Sequence, residues 1–297
     1  MTGSPETDRD QRDEEATQML ERTGDVKRHH LSTRIWHWFN ASALLILLMS
    51  GLMIFNAHPR LYWGEYGSYD DPAWLEIASD GERGNTRIGP LNYDTTGVFG
   101  IAKDGEGVVR QRAFPSWATI PSTYDLASAR RWHFFFAWLL ALPLLLFMFR
   151  ALFNGHVKND LHIRRQEWAP KAIWRDFKNH IRPKPRHVED ATRYNILQKF
   201  SYIAVIFILL PVIILTGLTM SPGIDAAWPW LLDIFGGRQS ARSIHFIIAF
   251  LLVTFFLVHI VMVLLSGPIS QIRAMITGWY RLPADTMVAH SEQEDDQ

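Results

Sequence analysis

The sequence contains no cysteine among its 297 residues. Without thiolates the chain cannot form a disulfide, bind zinc or an iron–sulfur cluster through sulfur, or attach haem through a Cys-x-x-Cys-His motif. The start of the chain also lacks the basic residues, short apolar core and cleavage site of a secretory signal peptide, so we expect the first apolar stretch to act as the insertion signal. Any redox centre must therefore use ligands other than cysteine.

Acidic residues are absent from four long apolar stretches, which cover 35–57, 132–153, 202–220 and 244–265. At about 1.5 Å per residue, each stretch is long enough to cross a bilayer core of roughly 30 Å. We therefore expect an all-α integral membrane protein, a four-helix bundle with a long external loop between helices 1 and 2. The expected division is a disordered tail at 1–26, a membrane domain at 27–283 and a second tail at 284–297.

The distribution of Lys and Arg predicts the orientation in the membrane. Residues 154–193 carry ten basic residues against five acids, and positive residues near a membrane stay in the cytoplasm. We therefore expect both termini and this connection on the cytoplasmic side. The segment 58–129, with ten acids against six basic residues, would lie outside. It is too long for a mere connection, so it is either a solvated, partly disordered loop or a cap that shields a cofactor or docks a partner.

Four of the twelve histidines lie within the apolar stretches: His37, His133, His245 and His259. An ionisable side chain inside a span is costly, and it is a functional hypothesis by default. His245 and His259 are fourteen residues apart, which places them on one helix face about 21 Å apart in depth. His37 opens the first stretch on the cytoplasmic side and His133 opens the second on the outer side. Matching by depth predicts two pairs, His37 with His259 and His133 with His245.

Two histidines that face each other across a bundle, without a carboxylate nearby, suit the two axial positions of a haem iron. Zinc would require three or four ligands, or an open position. Because both axial positions would be filled, the pattern favours electron transfer over catalysis. A His-dependent metal or proton transporter is the alternative from another class, although such relays usually include Asp or Glu within the spans, and these spans contain neither.

Three arginines precede three of these histidines by one helical turn: Arg34, Arg130 and Arg242. A guanidinium can pair with a haem propionate in a fork, so we expect these residues in the haem environment. The alternative is that they are ordinary arginines that flank a span and snorkel to the membrane surface.

Two glycines on the first and third spans complete the expected haem environment. Gly51 follows His37 by fourteen residues, so it presents bare backbone at the depth of the outer haem, and Gly217 could serve similarly on the third span. Both would let a macrocycle lie close to the helix. Close packing of helices through small residues is the alternative.

Residues 27–281 resemble the bacterial di-haem cytochrome b subunits that link a membrane quinone pool to a redox enzyme. This group includes the membrane subunits of formate dehydrogenase, nickel-iron hydrogenase and thiosulfate reductase. The resemblance is carried by the histidine pattern and by three stretches: His30–Asn40, Arg131–Trp138 and Leu215–Gly223. These stretches look most like the thiosulfate-reductase-type branch, which is often paired with a molybdopterin oxidoreductase. The long outer segment departs from the compact members of the group.

The resemblance implies an electron-transfer subunit of an oxidoreductase complex rather than a complete enzyme, in a bacterial inner membrane. Two haems b would carry electrons between a quinone and a periplasmic redox protein, which we expect to be molybdopterin-dependent. A hydrogenase-type cytochrome b subunit is the alternative within the class, and no nucleic-acid partner is expected. The partner would dock on aromatic residues of the outer segment and of the outer turn at 221–241: Tyr62, Trp63, Tyr66, Trp74, Trp117, Trp228 and Trp230. The alternative, above all for Trp228 and Trp230, is an aromatic belt at the membrane interface.

Polar residues open the third span and suggest a quinone site on the cytoplasmic side. Asn195, Gln198 and Lys199 lie within about one helical turn of one another, at the depth predicted for His37 and His259. A quinone needs hydrogen-bond donors for its two carbonyl oxygens in an otherwise apolar pocket, and the resembled group also places its quinone near the cytoplasmic haem. The alternative is that they are merely interfacial. His30 and Asn40 are weaker candidates for the same pocket.

Overall fold

A computed structural model describes residues 25–153 and 200–281 of the chain. Within them, four helices are long and apolar enough to cross a membrane: Leu31–Phe55, Leu126–Arg150, Phe200–Thr219 and Arg238–Leu265. The four predicted spans are therefore present as helices, by length and composition.

The helices run in chain order from the first span to a short helix after the fourth. They are α1 (Leu31–Phe55), α2 (Leu126–Phe153), a π-helix (Ile203–Leu209) that continues into α3 (Leu210–Thr219), α4 (Pro222–Ala227), α5 (Trp230–Ile234), α6 (Arg238–Leu265) and α7 (Pro268–Thr277). The wide turns of the π-helix end beside Pro211, which has no N–H to donate to the preceding turn. Gly267 and Gly278 bound α7 with left-handed backbone conformations.

Three of these helices begin four to six residues earlier than the apolar stretches predicted, since α1 starts at Leu31, α2 at Leu126 and α6 at Arg238. Their first turns are polar, so a criterion based on apolar side chains excludes them although the backbone is already helical. The start of α2 is fixed locally, because the Asp125 carboxylate accepts a hydrogen bond from the backbone N–H of Ser128 at 3.0 Å.

The connection between α1 and α2, residues 56–125, is a folded β segment rather than the long loop expected from the sequence. The strands, with β1 before α1, are β1 (Asp25–Lys27), β2 (Arg60–Leu61), β3 (Leu75–Ser79), β4 (Gly84–Ile88), β5 (Leu91–Asp94), β6 (Gly100–Lys103) and β7 (Val109–Arg112). A four-stranded antiparallel sheet has the order β2-β3-β4-β5, and β6 pairs with β7. The all-α expectation therefore holds for the spans and is wrong for this segment.

The β segment packs onto the ends of two spans through an apolar core. Its buried members are Phe55, Leu61, Leu75, Ile77, Ala113 and Phe114. Phe55 ends α1, and its ring centroid lies 4.8 Å from that of Phe246 on α6. Each Leu, Ile or Phe buried in this way contributes about 1.5–3 kcal/mol, so the segment is held to α1 and α6 and is not a free loop.

The described residues fall into two compact units, which share helices α1 and α6. One unit contains 25–39, 200–202 and 255–281, where β1 pairs antiparallel with β8 (Trp279–Arg281). The other contains 40–153 and 203–254, with the β segment and an apolar cluster built around Leu140, Leu144 and Leu210. Each unit contains one histidine pair.

Candidate functional site

In the first unit, His37 of α1 faces His259 of α6. Their ring centroids are 6.3 Å apart, with an angle of 52° between the ring planes. An aromatic side chain lies against each ring: Trp38 meets His37 edge-on at 5.2 Å, and Phe255 stacks against His259 at 6.1 Å. The Nδ1 atom of His37 is buried and has no hydrogen-bond partner within the part of the chain that the structure describes.

In the second unit, His133 of α2 faces His245 of α6. Their ring centroids are 6.2 Å apart, and the ring planes form an angle of 59°. The structure thus brings together the same two pairs that depth matching predicted from the sequence. That these pairs bind iron remains a prediction.

The spacing within each pair fits two ligands of one metal. A metal–imidazole bond is about 2 Å long and a ring nitrogen lies about 1 Å from its ring centre, so two imidazoles in line across a metal have centroids about 6 Å apart. Both pairs meet this distance. Among residues 25–153 and 200–281, no group of three or more His, Cys, Asp or Glu side chains could hold a metal ion. Each donor set therefore fits the two axial positions of a haem iron.

Helix α1 fixes the protonation of His133. The Nδ1 atom of this histidine lies 3.1 Å from the carbonyl oxygen of Leu47 and 3.1 Å from the hydroxyl oxygen of Ser50. A carbonyl can only accept a hydrogen bond, so Nδ1 carries the proton. The lone pair of the neutral ring is then on Nε2, the nitrogen left for a metal.

His245 makes the corresponding contacts with helix α3. Its Nδ1 atom lies 3.0 Å from the carbonyl oxygen of Ile213 and 3.1 Å from the hydroxyl oxygen of Thr216. The same argument places the proton on Nδ1 and the lone pair on Nε2. In both members of this pair, contacts with a neighbouring helix thus leave Nε2 available to a metal.

The two predicted glycines lie against these imidazole rings. A Cβ atom at Gly51 would lie 3.3 Å from Cε1 of His133, and one at Gly217 would lie 3.3 Å from Cε1 of His245. The sequence predicted that bare backbone at these positions would admit a macrocycle. In the structure an imidazole ring lies beside each glycine, and the approach of a macrocycle to these positions remains a prediction.

The three predicted arginines differ in their surroundings. The guanidinium of Arg242 donates to the backbone carbonyls of Arg60 at 2.8 Å and of His58, and it lies over the ring of Phe55. Arg34 donates to the carbonyl of Ile276, and Arg130 is exposed on α2. Pairing of these arginines with propionates remains a prediction, whereas the described contacts of Arg242 attach the β segment to α6.

Sequence reasoning missed the other side chains that join the β segment to α6. Ser243 donates to the carbonyl of Tyr62 at 2.6 Å and accepts from Nε1 of Trp74 at 3.0 Å, and Ser240 accepts from the N–H of Gly64 at 2.7 Å. The backbones come so close that a Cβ at Gly237 would lie 2.7 Å from Gly64. The feature of the sequence that could have indicated this attachment is the pair of serines, Ser240 and Ser243, that lie three residues apart just before His245.

The sequence predicted Tyr62 on an exposed docking surface, and this prediction is wrong because Tyr62 belongs to a buried network. Only 2% of Tyr62 is exposed, and its hydroxyl donates to the carbonyl of Ser68 at 2.7 Å. It therefore accepts a hydrogen bond from Nε2 of His58 at 3.1 Å. Burial, aided by the charges of Arg242 and Arg60, lowers the pKa of His58 below its ordinary value. His58 is thus neutral at neutral pH.

The predicted quinone residues Asn195, Gln198 and Lys199 lie outside the described residues. Of the weaker candidates, His30 is exposed immediately before α1, and Asn40 is half-buried within α1. The quinone site therefore remains a prediction.

Comparison with known proteins identifies relatives of this chain. The family described as prokaryotic cytochrome b561 matches residues 28–278. A curated protein from Azospira oryzae, named as protein-methionine-sulfoxide reductase subunit YedZ1, is 34% identical over 153 residues, which are 52% of this chain and 72% of that protein. No solved structure matches the chain. The residues matched by the family include both histidine pairs.

Proposed function

The chain belongs to the prokaryotic cytochrome b561 family, and from this premise we propose that it transfers electrons between the membrane quinone pool and a periplasmic oxidoreductase, with two b-type haems as carriers. Membership makes the chain a membrane cytochrome that binds b-type haem and transfers electrons. The observation that carries the proposal of two sites is the pair of facing histidines in each unit, with ring centroids 6.3 Å and 6.2 Å apart.

The protein's part in this function is to hold and shield the carriers. When bound, each haem supplies a one-electron redox couple. His37 and His259 would hold one iron, and His133 and His245 the other, and two protein ligands per iron favour electron transfer over reaction with a substrate. The apolar cluster around Leu140, Leu144 and Leu210 lies in the same unit as the second of these pairs. Arg34, Arg130 and Arg242 are our candidates for propionate pairing.

The partner is proposed to dock on the β segment from the periplasm. The basic connection at 154–193 favours a cytoplasmic position for itself and for both termini, which leaves the β segment outside. Its exposed aromatic residues include Trp63, Tyr66 and Trp117, of which Tyr66 is 83% and Trp117 is 76% exposed. Aromatic residues are enriched in protein interfaces.

Two observations bear on the identity of the partner. The relative from Azospira oryzae is named as a subunit of a reductase, which supports an oxidoreductase as the partner here. The resemblance to thiosulfate-reductase-type subunits favours a molybdopterin-dependent one, and a hydrogenase remains the alternative. Purification in mild detergent, followed by identification of the co-purifying redox protein, decides between them. Crosslinking in native membranes that traps no external protein on residues 60–125 would contradict docking on the β segment.

The central test is the haem content of the purified protein. We expect a reducible b-type absorption spectrum, two haems per chain and low-spin signals typical of bis-histidine ligation. One haem per chain would contradict the two-site proposal. A colourless protein would refute the electron-transfer function and favour a metal or proton transporter.

A further inference from the structure

Helices α1 and α3 present the same three groups to the two histidines of the second unit. Each group consists of a backbone carbonyl, a hydroxyl three residues later and the glycine that follows, and we call it a cradle. The two cradles are Leu47, Ser50 and Gly51 around His133, and Ile213, Thr216 and Gly217 around His245. The four distances from Nδ1 to oxygen lie between 3.0 and 3.1 Å.

Each hydroxyl donates its hydrogen bond to a backbone carbonyl of its own helix. Ser50 lies 2.6 Å from the carbonyl oxygen of Ile46, and Thr216 lies 2.8 Å from that of Val212. Both hydroxyls therefore donate one turn back along the helix and offer a lone pair to the histidine. The Nδ1–H group of each histidine is shared between a carbonyl and a hydroxyl, which are both acceptors.

We infer that Ser50 and Thr216 are positioning residues, which set the ring plane of His133 and His245 and lower the reduction potential of the haem that this pair holds. The inference rests on the proposed function. An acceptor at Nδ1–H increases the electron density at Nε2, and a more basic ligand stabilises ferric over ferrous iron. Two acceptors per ring also define the direction of the N–H bond, and hence the rotation of the ring about its bond to iron.

The contacts of both cradles are made with the pair His133 and His245. In the other pair, Nδ1 of His37 is buried and has no hydrogen-bond partner among the described residues. Removal of a hydroxyl from either cradle should therefore change the potential and the spectrum of the haem at His133 and His245, and leave those of the other haem as they were.

The test uses the haem-loaded protein with Ser50→Ala, Thr216→Val and the double variant. Ser50→Thr and Thr216→Ser keep the hydroxyl, and Thr254→Val is a matched control, because Thr254 also donates one turn back, to Phe250 at 2.9 Å. The measurements are the two midpoint potentials, the low-spin electron paramagnetic resonance signals and the haem content. The resonance signal is informative because it depends on the angle between the two imidazole planes.

In the double variant, we expect the ferric-to-ferrous equilibrium of one haem to shift about tenfold toward the reduced form, which is about 59 mV for a one-electron couple. The low-spin signal of the same haem should shift, and the other haem should not change. Each single variant should give a smaller shift at this haem. The conservative variants and Thr254→Val should match the unsubstituted protein.

Two results separate failure of the inference from failure of the proposed function. Unchanged potentials and signals in a double variant that retains full haem content would overturn the inference and leave the function standing. If the double variant loses haem, the single variants decide, and the absence of a shift in both would overturn the inference. An unsubstituted protein without haem at His133 and His245 would instead overturn the proposed two-site function.

Discussion

Each candidate site depends on two histidines that come from different helices, so loss of one histidine should empty one site and spare the other. His133→Ala should remove the haem held with His245 and leave the haem at His37 and His259, and His37→Ala should do the reverse. The reason is that the rings lie 6.2 Å and 6.3 Å apart within the pairs. Redox titration with haem quantitation measures the result. If His37→Ala and His245→Ala empty the same site, the pairing is wrong.

At the same scale, the two cradle glycines should not tolerate a methyl group. A Cβ at Gly51 or Gly217 would lie 3.3 Å from the imidazole, so the ring must move by a few tenths of an ångström, and overpacking of this kind costs about 1–3 kcal/mol. Gly51→Ala and Gly217→Ala should therefore each reduce the haem content at His133 and His245. Gly223→Ala is the control, since a Cβ there meets nothing within 4 Å. Full occupancy in both cradle variants would contradict the prediction.

The histidines can be identified as candidate site residues from the sequence, and the two cradle hydroxyls cannot. His245 and His259 can be identified because an ionisable side chain in an apolar span is costly. Their spacing of fourteen residues also places both on one face of the helix. Ser50 and Thr216 give no such signal, because a hydroxyl in a helix normally bonds to its own preceding turn. Their contact with a histidine becomes apparent only when a second helix is in place.

At the scale of elements, the spans were predictable and the β segment was not. A run of apolar residues about 20 long has few explanations other than a membrane helix. The strands of the β segment have only two to five residues each, and β5 is exposed throughout, so the alternation that indicates a strand is too short to recognise. The contacts that hold the segment, such as Ser243 to Tyr62, join residues far apart in sequence.

The attachment of the β segment should weaken in acid because of His58. Burial and the charges of Arg242 and Arg60 lower the pKa of His58 in the folded protein, so a released imidazole binds a proton more readily than the folded one. Stability should be fully present above about pH 6.5, the ordinary value for histidine, and should decline as the pH falls below it. Proteolysis rates of the β segment between about pH 8 and pH 5 measure this.

His58→Gln provides the matched comparison for this pH dependence. Glutamine keeps an N–H donor for the hydroxyl of Tyr62, which accepts from Nε2 of His58 at 3.1 Å, and it does not titrate. The variant should therefore lose the part of the pH dependence that falls just below about pH 6.5. An identical profile in both proteins would assign the acid sensitivity to other groups.

For the whole molecule, we propose an orientation in the membrane from the distribution of charge along the chain. The ten basic residues of 154–193 favour the cytoplasmic side for this connection, and the proposed orientation therefore places the β segment in the periplasm. The proposed function needs two contacts, one with the quinone pool and one with an external oxidoreductase. The proposed function therefore requires a quinone site, which we propose on the cytoplasmic side.

We expect that quinone site at the start of the third span. Asn195 and Gln198 lie within about one helical turn of each other by their spacing in sequence, and their amides can donate to the two carbonyl oxygens of a quinone. Asn195→Leu and Gln198→Leu should therefore slow reduction of the haems by a quinol analogue by about tenfold per lost hydrogen bond, if each contributes about 1.4 kcal/mol. Both haems should remain, and reduction by dithionite, which bypasses the site, should be unchanged. Reduction by the quinol analogue at the unsubstituted rate, with full haem content, would refute this site.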